Sequence, residues 1–252
     1  MIAAIIQARM PSTRLPGKVL KEVMGKPLLG YLIERLGFCR HLDEIIIATT
    51  LNEEDEPIVL FAESNGVRLY RGSEHDVLDR FYQAAKEFTV EHILRITGDC
   101  PLIDPQVCDR AIEVLLESGA DVVHSGPTFA EGSGDCEVLS FKNLEKAWRE
   151  ATLTSEREHV TTYLYNNSEL FKQITLVNET DDSRYRVVVD EKEDFLVVKA
   201  ILEDLYGKGS PAFTINDIKE FLDAHPDIHK LNEHIVRNEG LLKSLEEDQS
   251  IG

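Results

Sequence analysis

The sequence holds no run of eighteen apolar residues among its 252, so it predicts no helix able to cross a membrane. Cysteine is scarce. Cys39, Cys100, Cys108 and Cys136 form no C-x-x-C pair and have no histidine at zinc-finger spacing. That pattern predicts reduced thiols in a cytoplasmic protein and excludes a disulfide framework. Positive charge is also short: 27 Lys and Arg stand against 46 Asp and Glu, for a net charge of −19. General nucleic-acid binding is excluded on that ground, since a phosphate backbone requires a basic footprint. The opening MIAAIIQARM carries no basic residue ahead of its apolar stretch. A secretory leader would need one, so residues 2–6 are read as a first buried strand. With no internal repeat, low-complexity tract or linker, one domain spanning 1–252 is expected.

What is present is unevenly placed. Residues 1–40 hold seven basic side chains, Arg9, Arg14, Lys18, Lys21, Lys26, Arg35 and Arg40, against Glu22 and Glu34. The segment therefore carries +5 and the remainder −24. A basic island on an acidic chain suits a compact anionic ligand held by focused positive potential.

Residues 2–6, 44–50, 67–70, 92–97 and 121–124 read as strands, alternating with helices over 27–39, 53–64, 77–88 and 105–117. Asp104-Pro105 supplies an N-cap and a first-turn proline, and Ser155 with Glu158 and Thr214 with Asp217 have capping-box spacing. Beyond residue 125 the pattern is less regular. Strands are expected at 135–141, 173–177 and 186–189, helices at 143–150, 156–165, 195–206 and 216–224, and a polar tail after 230. The alternation predicts an α/β fold, a parallel sheet with helices on both faces. Ligands of such sheets bind beyond the carboxyl ends of the strands, so the loops opening at Gln7, Arg71 and Gly98 should share an edge.

The first of these loops, QARMPSTRLPGK at residues 7–18, places Arg9, Arg14 and Lys18 within ten positions. Ser12 and Thr13 add hydroxyls, and Gly17 lets backbone amides approach a ligand. A triphosphate needs charge-assisted donors spread over several oxygens, which this loop can provide. It is not a Walker loop, because Ser12 and Val19 stand where that motif has glycine and Ser/Thr. On composition alone, a basic surface loop with a proline turn explains it equally well. Its position after a strand favours the ligand.

The longer stretch IIQARMPSTRLPGKVL closely resembles the opening of the spore-coat polysaccharide cytidylyltransferase-like family. It is also similar to the CMP-Kdo and CMP-sialate synthetases, whose loop runs roughly P-A-R-x-x-S-x-R-x-P-G-K. Ala8, Arg9, Ser12, Arg14, Pro16, Gly17 and Lys18 match, while Gln7 departs from the proline of those synthetases and follows the spore-coat group. The resemblance implies a three-layer α/β/α nucleotide-diphospho-sugar transferase-like fold, Rossmann-like with a mainly parallel sheet. It implies that Arg9, Arg14 and Lys18 contact the phosphates of CTP, with the backbone of Ala8 and Arg9 near the base. A nucleotide-binding half over 1–125, an acceptor-binding and dimerisation half over 126–230 and a polar tail over 231–252 follow. The resembled synthetases are commonly homodimers, which implies a homodimer here.

A second constellation is RITGDCP, residues 95–101. Asp99 ends a strand where a carboxylate enters the ligand crevice, and can hold Mg²⁺ together with phosphate oxygens. A turn aspartate stabilising its own loop is the plainer reading. Likeness to the G-D-x-P metal element of the CMP-sugar synthetases favours the metal. A third is RVVVD at residues 186–190, followed by Glu191, Glu193 and Asp194. Asp190 is the candidate second metal ligand, Asp194 is read as a helix N-terminal acid, and Glu191 is left open.

RGSEHDVLDRFYQAA, from Arg71, resembles a family segment in which Arg71, Gly72 and Ser73 face the nucleoside, with Asp76 read as a helix cap. Asp135 and Glu137 alternate about a strand and should point to one face. Glu137 is taken as an acceptor-site candidate, as are Arg157 and His159 in the E-R-E-H-V element, where a solvated capped helix start is the rival reading. His124 is a weaker signal.

The expected reaction is attack of an anionic sugar acceptor, of the Kdo or nonulosonate kind by resemblance, on the α-phosphorus of CTP. Pyrophosphate leaves, with Arg14, Lys18 and Asp99 as the catalytic groups and Mg²⁺ on Asp99 and Asp190. A glycosyltransferase of the same scaffold is the nearest rival, but the Asp-x-Asp tripeptide such enzymes often use is absent. A non-catalytic nucleotide-binding protein is the other; it would be expected to have lost one of the two carboxylates.

Overall fold

The apolar run IAAIIQ forms strand β1 (Ile2–Gln7), with Ala3, Ala4, Ile5 and Ile6 fully buried. A strand apolar on both faces must be covered on both, as parallel strands in α/β folds are. In the computed structural model, which describes residues 1–209, 211–237, 244, 245 and 248, that is where β1 lies. Helix α1 (Leu28–Leu36) follows a two-stranded ribbon, β2 (Glu22–Val23) and β3 (Lys26–Pro27). Next come β4 (Glu44–Thr50), α2 (Glu56–Ser64), β5 (Arg68–Gly72), α3 (Val77–Glu87), β6 (His92–Thr97), α4 (Pro105–Ser118) and β7 (Val122–Ser125). The second half adds β8 (Glu137–Ser140), α5 (Phe141–Glu150), α6 (Thr154–Glu158), α7 (Thr162–Asn166), β9 (Gln173–Leu176), α8 (Lys192–Ile201), α9 (Ile215–Ala224) and α10 (Pro226–His229).

Among the described residues the main sheet has seven strands in the order β5-β4-β1-β6-β8-β7-β9. β1 is parallel to β4 and β6, β4 to β5, and β7 to β9, whereas β8 runs antiparallel to both neighbours. One face packs α1, α2 and α4 through Ile6, Leu29, Ile47, Ile58, Ile96 and Ile112. The other packs α3, α5 and α7 through Ile5, Leu78, Phe81, Ile93, Leu144 and Leu164. The expected three-layer, mainly parallel α/β/α fold is the fold observed.

Capping follows the expected chemistry at several starts. Asp104 accepts from Gln106 N at 2.9 Å, Asp76 from Asp79 N at 2.8 Å, and Asp217 from Thr214 N at 2.6 Å. The Ser155–Glu158 pairing is different. The helix opens at Thr154, and the Glu156 carboxylate caps it by accepting from Thr152 N and Leu153 N at 3.1 and 3.3 Å. The single helix expected over 156–165 is broken into α6 and α7, because Val160 sits at φ 55°, a left-handed conformation costly for a β-branched residue.

The strand expected at 186–189 is not part of the sheet. Its valines are buried, as the pattern predicts, but their partners are loops. Val187 N donates to Glu131 O and Val189 N to Asp99 O, both at 2.8 Å, while Glu131 N donates to Tyr185 O at 3.0 Å. The segment packs Tyr185, Val187 and Val189 into a third apolar cluster with Leu102, α8 and α9.

Candidate active site

The loop leaving β1 is held by groups behind it. Gly98 N donates to Gln7 O at 2.8 Å, and a Cβ on Gly98 would lie 2.9 Å from that oxygen and 3.1 Å from Ala8 Cβ. Only glycine permits this approach of the β6 loop to the β1 loop. Met10 N donates to Asp55 Oδ1 at 2.6 Å, and Asp55, fully buried just beyond β4, also accepts from the Thr50 hydroxyl. Gly17, at φ 69°, closes the hoop by donating to Met10 O at 2.9 Å, and Ser12 Oγ accepts from Leu15 N at 3.3 Å. Asp55 was not legible as a site support, since Glu53-Glu54-Asp55 has the composition of a solvated helix start.

Lys18 reaches from the end of this loop across the crevice. Its Nζ donates to Asp99 Oδ2 at 2.7 Å and to Asp190 Oδ1 at 2.8 Å. Arg14 lies at the rim, 3.2 Å from Asp190 Oδ1 and 3.6 Å from Glu191 Oε1. Four of the expected residues, distant in sequence, thus meet at one point beyond the carboxyl end of β6. Burial would lower the Lys18 pKa, but Asp99 and Asp190 outweigh it and hold the ammonium above its ordinary value. Burial likewise opposes ionisation of Asp99, and Lys18 overcomes it, keeping that carboxyl below the ordinary range.

Two hard oxygen donors that share one ammonium fit a Mg²⁺ or Mn²⁺ ion, whose other positions go to water and phosphate oxygens. No group of three or more His, Cys, Asp or Glu able to hold a metal occurs among the described residues. The donor set therefore suits an ion arriving with a nucleotide rather than a closed protein cage.

The remaining expected residues are distributed as follows. Arg9, half exposed, pairs with Glu74 at 3.3 Å, and Glu74 also accepts from Asn52 Nδ2 at 2.7 Å. Arg71 donates to Thr50 O, Asn52 O and Glu56 at 3.0, 3.1 and 2.9 Å, which braces the crossover after β4. Gly72 is buried under Tyr70 and Arg80, and Ser73 Oγ accepts from Asp76 N at 3.0 Å. Arg157 is bound to Asp76 and to Trp148 O at 2.7 Å.

Glu137 belongs to a polar cluster over the carboxyl end of β6 and the amino end of β8, its antiparallel neighbour. It takes Arg95, Tyr165 and, at 2.8 Å, Thr161, while Arg95 also donates to Gln7 Oε1 at 3.3 Å. Those donors, against burial, hold the Glu137 carboxyl below its ordinary value. His159 bonds Ser244 Oγ at 3.0 Å, and burial beside Arg95 lowers its pKa, favouring the neutral ring. Asp135 is not on this strand face; it sits ahead of β8 and accepts from Gly132 N at 2.6 Å and Arg237 at 2.9 Å. His124 bonds Thr175 at 2.9 Å.

Asp194 caps α8 from within, accepting from Asp190 N and Glu191 N at 3.0 Å each, as its helix-start reading requires. It also pairs with buried Arg186 at 2.8 Å. Glu131 and Tyr165 were missed by the sequence reading, because each lies in a run that reads as ordinary core or loop, while Arg95 and Arg186 open the second and third constellations but were given no role of their own.

A loop that carries Arg14 and Lys18 to a carboxylate pair, at the carboxyl edge of a mainly parallel sheet, is the arrangement of a nucleotidyltransferase. The profile of the cytidylyltransferase family matches residues 3–220, and the chain belongs to that family. The spore coat polysaccharide biosynthesis protein SpsF of Bacillus subtilis is 34% identical over 239 residues, covering 90% of this chain and 95% of that protein. A 3-deoxy-manno-octulosonate cytidylyltransferase of Geobacter sulfurreducens is 37% identical over 121 residues, 47% of each chain. The solved structure of a cytidylyltransferase from Leptospira borgpetersenii superposes with a TM-score of 0.85 at 35% identity, covering 91% of this chain and 96% of that one.

Proposed function

We propose that the protein transfers CMP from CTP to a sugar-acid acceptor, releasing pyrophosphate, in the building of a surface polysaccharide or glycan. The observation that carries this reading is the Lys18 ammonium bridging Asp99 and Asp190 at the mouth of the loop. Membership of the cytidylyltransferase family and likeness to SpsF and to a 3-deoxy-manno-octulosonate cytidylyltransferase support the donor and the acceptor class.

Asp99 and Asp190 would hold Mg²⁺, which when bound polarises the α-phosphate and offsets its charge. The chain's own groups do the rest. The backbone of Ala8 and Arg9 lies near the base, the side chains of Arg9 and Ser12 receive the nucleotide, and Arg71, Gly72 and Ser73 shape the wall beneath its nucleoside. As the triphosphate enters, Lys18 exchanges its carboxylate partners for phosphate oxygens and, with Arg14, neutralises the departing pyrophosphate. An acceptor hydroxyl oxygen bonds to the α-phosphorus and loses its proton to solvent water as the bond from that phosphorus to the bridging oxygen of pyrophosphate breaks. Glu137 on β8 and His159 at the end of α6 line the acceptor side, one as a carboxylate and the other as a neutral ring, and Arg157 keeps α6 in place by its hold on Asp76.

Residues 1–125 serve as the nucleotide half and 126–230 as the acceptor half. A reducing, cytoplasmic setting agrees with four unpaired, buried cysteines. The test is incubation with CTP, Mg²⁺ and a panel of 3-deoxy sugar acids, scored for pyrophosphate. Pyrophosphate release with a sugar acid is expected and should vanish in Asp99→Asn. Absence of release with every acceptor, together with no CTP binding, would reject the reading, and release from a nucleotide sugar instead would favour a glycosyltransferase.

A further inference from the structure

Asp190 is gripped from two sides. Its Oδ1 faces the crevice, where it takes Lys18 Nζ at 2.8 Å and Arg14 at 3.2 Å. Its Oδ2 faces inward and takes Arg186 Nη2 at 3.2 Å. Arg186 has no freedom to leave that oxygen. Its Nε and Nη2 fork onto Asp194 Oδ1 and Oδ2 at 2.8 and 3.0 Å, and its Nη1 donates to Glu131 Oε2 at 2.6 Å. Asn232 closes the cage, donating to Asp194 Oδ1 at 2.9 Å and to Arg186 O at 3.1 Å. The Arg186 side chain is only 6% exposed and that of Asp194 is wholly buried.

The backbone repeats the constraint. Asp194 Oδ2 receives the Asp190 N–H, so the helix cap that starts α8 also orients the Asp190 peptide. The Glu131 loop holds Val187 in register through N–H to O at 2.8 Å. Gly132, at φ 87°, lets that loop lie where a Cβ would be 2.2 Å from Val188 N.

We infer that Arg186, held by Asp194 and Glu131, is a positioning residue that commits Asp190 Oδ2 to the protein, so that Asp190 offers a divalent cation one oxygen only. This inference rests on the reading of Asp99 and Asp190 as the metal-holding pair. The physical ground is that a carboxylate oxygen already facing a buried guanidinium cannot turn to a second cation without breaking a charge-assisted bond. Single-oxygen donation suits the strict octahedral demand of Mg²⁺, for which a chelating carboxylate has too narrow a bite. Outer partners of this kind orient metal ligands, and their loss commonly weakens metal affinity about 10–100-fold.

The test is Mn²⁺ binding to the full chain in the presence of CTP, followed by the electron paramagnetic resonance signal of free Mn²⁺, with folding checked by circular dichroism. Arg186→Lys keeps the charge but offers one nitrogen in place of three, so it cannot hold both oxygens of Asp194 and still reach Glu131 and Asp190. It should raise the Mn²⁺ dissociation constant about 10–100-fold while leaving metal-free CTP affinity unchanged. The Mn²⁺ concentration for half-maximal turnover should rise in step, with kcat recovering at saturating metal. A folded Arg186→Lys that binds Mn²⁺ as the wild type does would overturn the inference. Asp190→Asn separates the two levels: if it leaves Mn²⁺ binding intact, the metal-pair reading fails first. A crystal structure of the unaltered protein with Mn²⁺ and CTP needs no variant. Mn²⁺ on Asp190 Oδ1, with Oδ2 still on Arg186, is the expected result, and chelation through both oxygens refutes it.

Discussion

The Val189 N–H donates to the carbonyl oxygen of Asp99 at 2.8 Å. This bond joins the loop after β6 to the segment before α8 at the backbone, immediately beside both carboxylates of the site. The approach of Asp99 and Asp190 is thus built into the main chain and does not depend on the lysine between them.

Lys18→Met should accordingly leave the two carboxylates together but uncompensated. Nucleotide-free Mn²⁺ affinity is expected to rise roughly tenfold, because a competing cation within 3 Å of both is gone. CTP affinity should fall roughly tenfold or more, because a charge-assisted phosphate donor is lost. Isothermal titration with each ligand separates the two effects, and a parallel loss of both would contradict this role for Lys18.

The Arg95–Glu137 pair sets a pH dependence. Both side chains are largely buried, 14% and 17% exposed, so breaking the pair in Arg95→Met should cost about 3–5 kcal/mol near pH 7. Burial opposes the Glu137 charge, and Arg95 overcomes it to place the folded carboxyl below its unfolded value. In the wild type that contribution is complete above the unfolded value, about 4.3, and fades as pH falls through the lowered folded value. In Arg95→Met the folded carboxyl moves up, and the penalty of keeping it ionised is relieved as pH falls through it. Urea melts should therefore show the deficit shrinking from pH 7 towards pH 4, and a constant deficit would contradict the assignment.

Two left-handed glycines offer a matched comparison. Gly119 ends α4 at φ 63° with open space where a Cβ would stand, so Gly119→Ala should cost about 1 kcal/mol. Gly132→Ala meets the Val188 backbone as well as an unfavourable φ, and should cost about 3 kcal/mol or more and reduce turnover. Denaturation midpoints and initial rates measure both; equal costs would show that the 129–134 loop yields without disturbing 186–190.

Arg35 is a buried cation that holds carbonyls rather than an acid. It donates to Ile103 O at 2.7 Å, Phe213 O at 2.9 Å and Pro211 O at 3.5 Å, and stacks on the Phe213 ring 4.3 Å away. Burial pushes its pKa down to about 10, which still leaves it charged at neutral pH. Arg35→Met should strand those carbonyls and cost about 3 kcal/mol, with the start of α9 loosening first. Hydrogen exchange at residues 215–224 checks this, and unchanged protection there would count against it.

Much of the fold was written locally. The β-branched run at 44–50, the apolar opening and the Asp104-Pro105 cap each act over a few residues, and each formed the expected element. Loop 7–18 was legible for the same reason, since its cations, hydroxyls and glycine lie within one turn of chain. Where a segment's partners lie far away, pattern alone did not suffice. Val187, Val188 and Val189 signal burial, but a valine run cannot say whether a sheet or two loops will receive it.

The chain by itself therefore determined an acidic α/β protein with a cationic loop at the end of its first strand, because charge and periodicity are properties of neighbours. Tertiary structure decided that Lys18 would meet Asp99, 81 positions on, and Asp190, 172 positions on. It also decided that Arg186 would stand behind one of them. Those contacts depend on which carbonyl accepts the Val189 N–H and on which loop has room beside Gly132. Such long-range packing choices leave no mark in local composition.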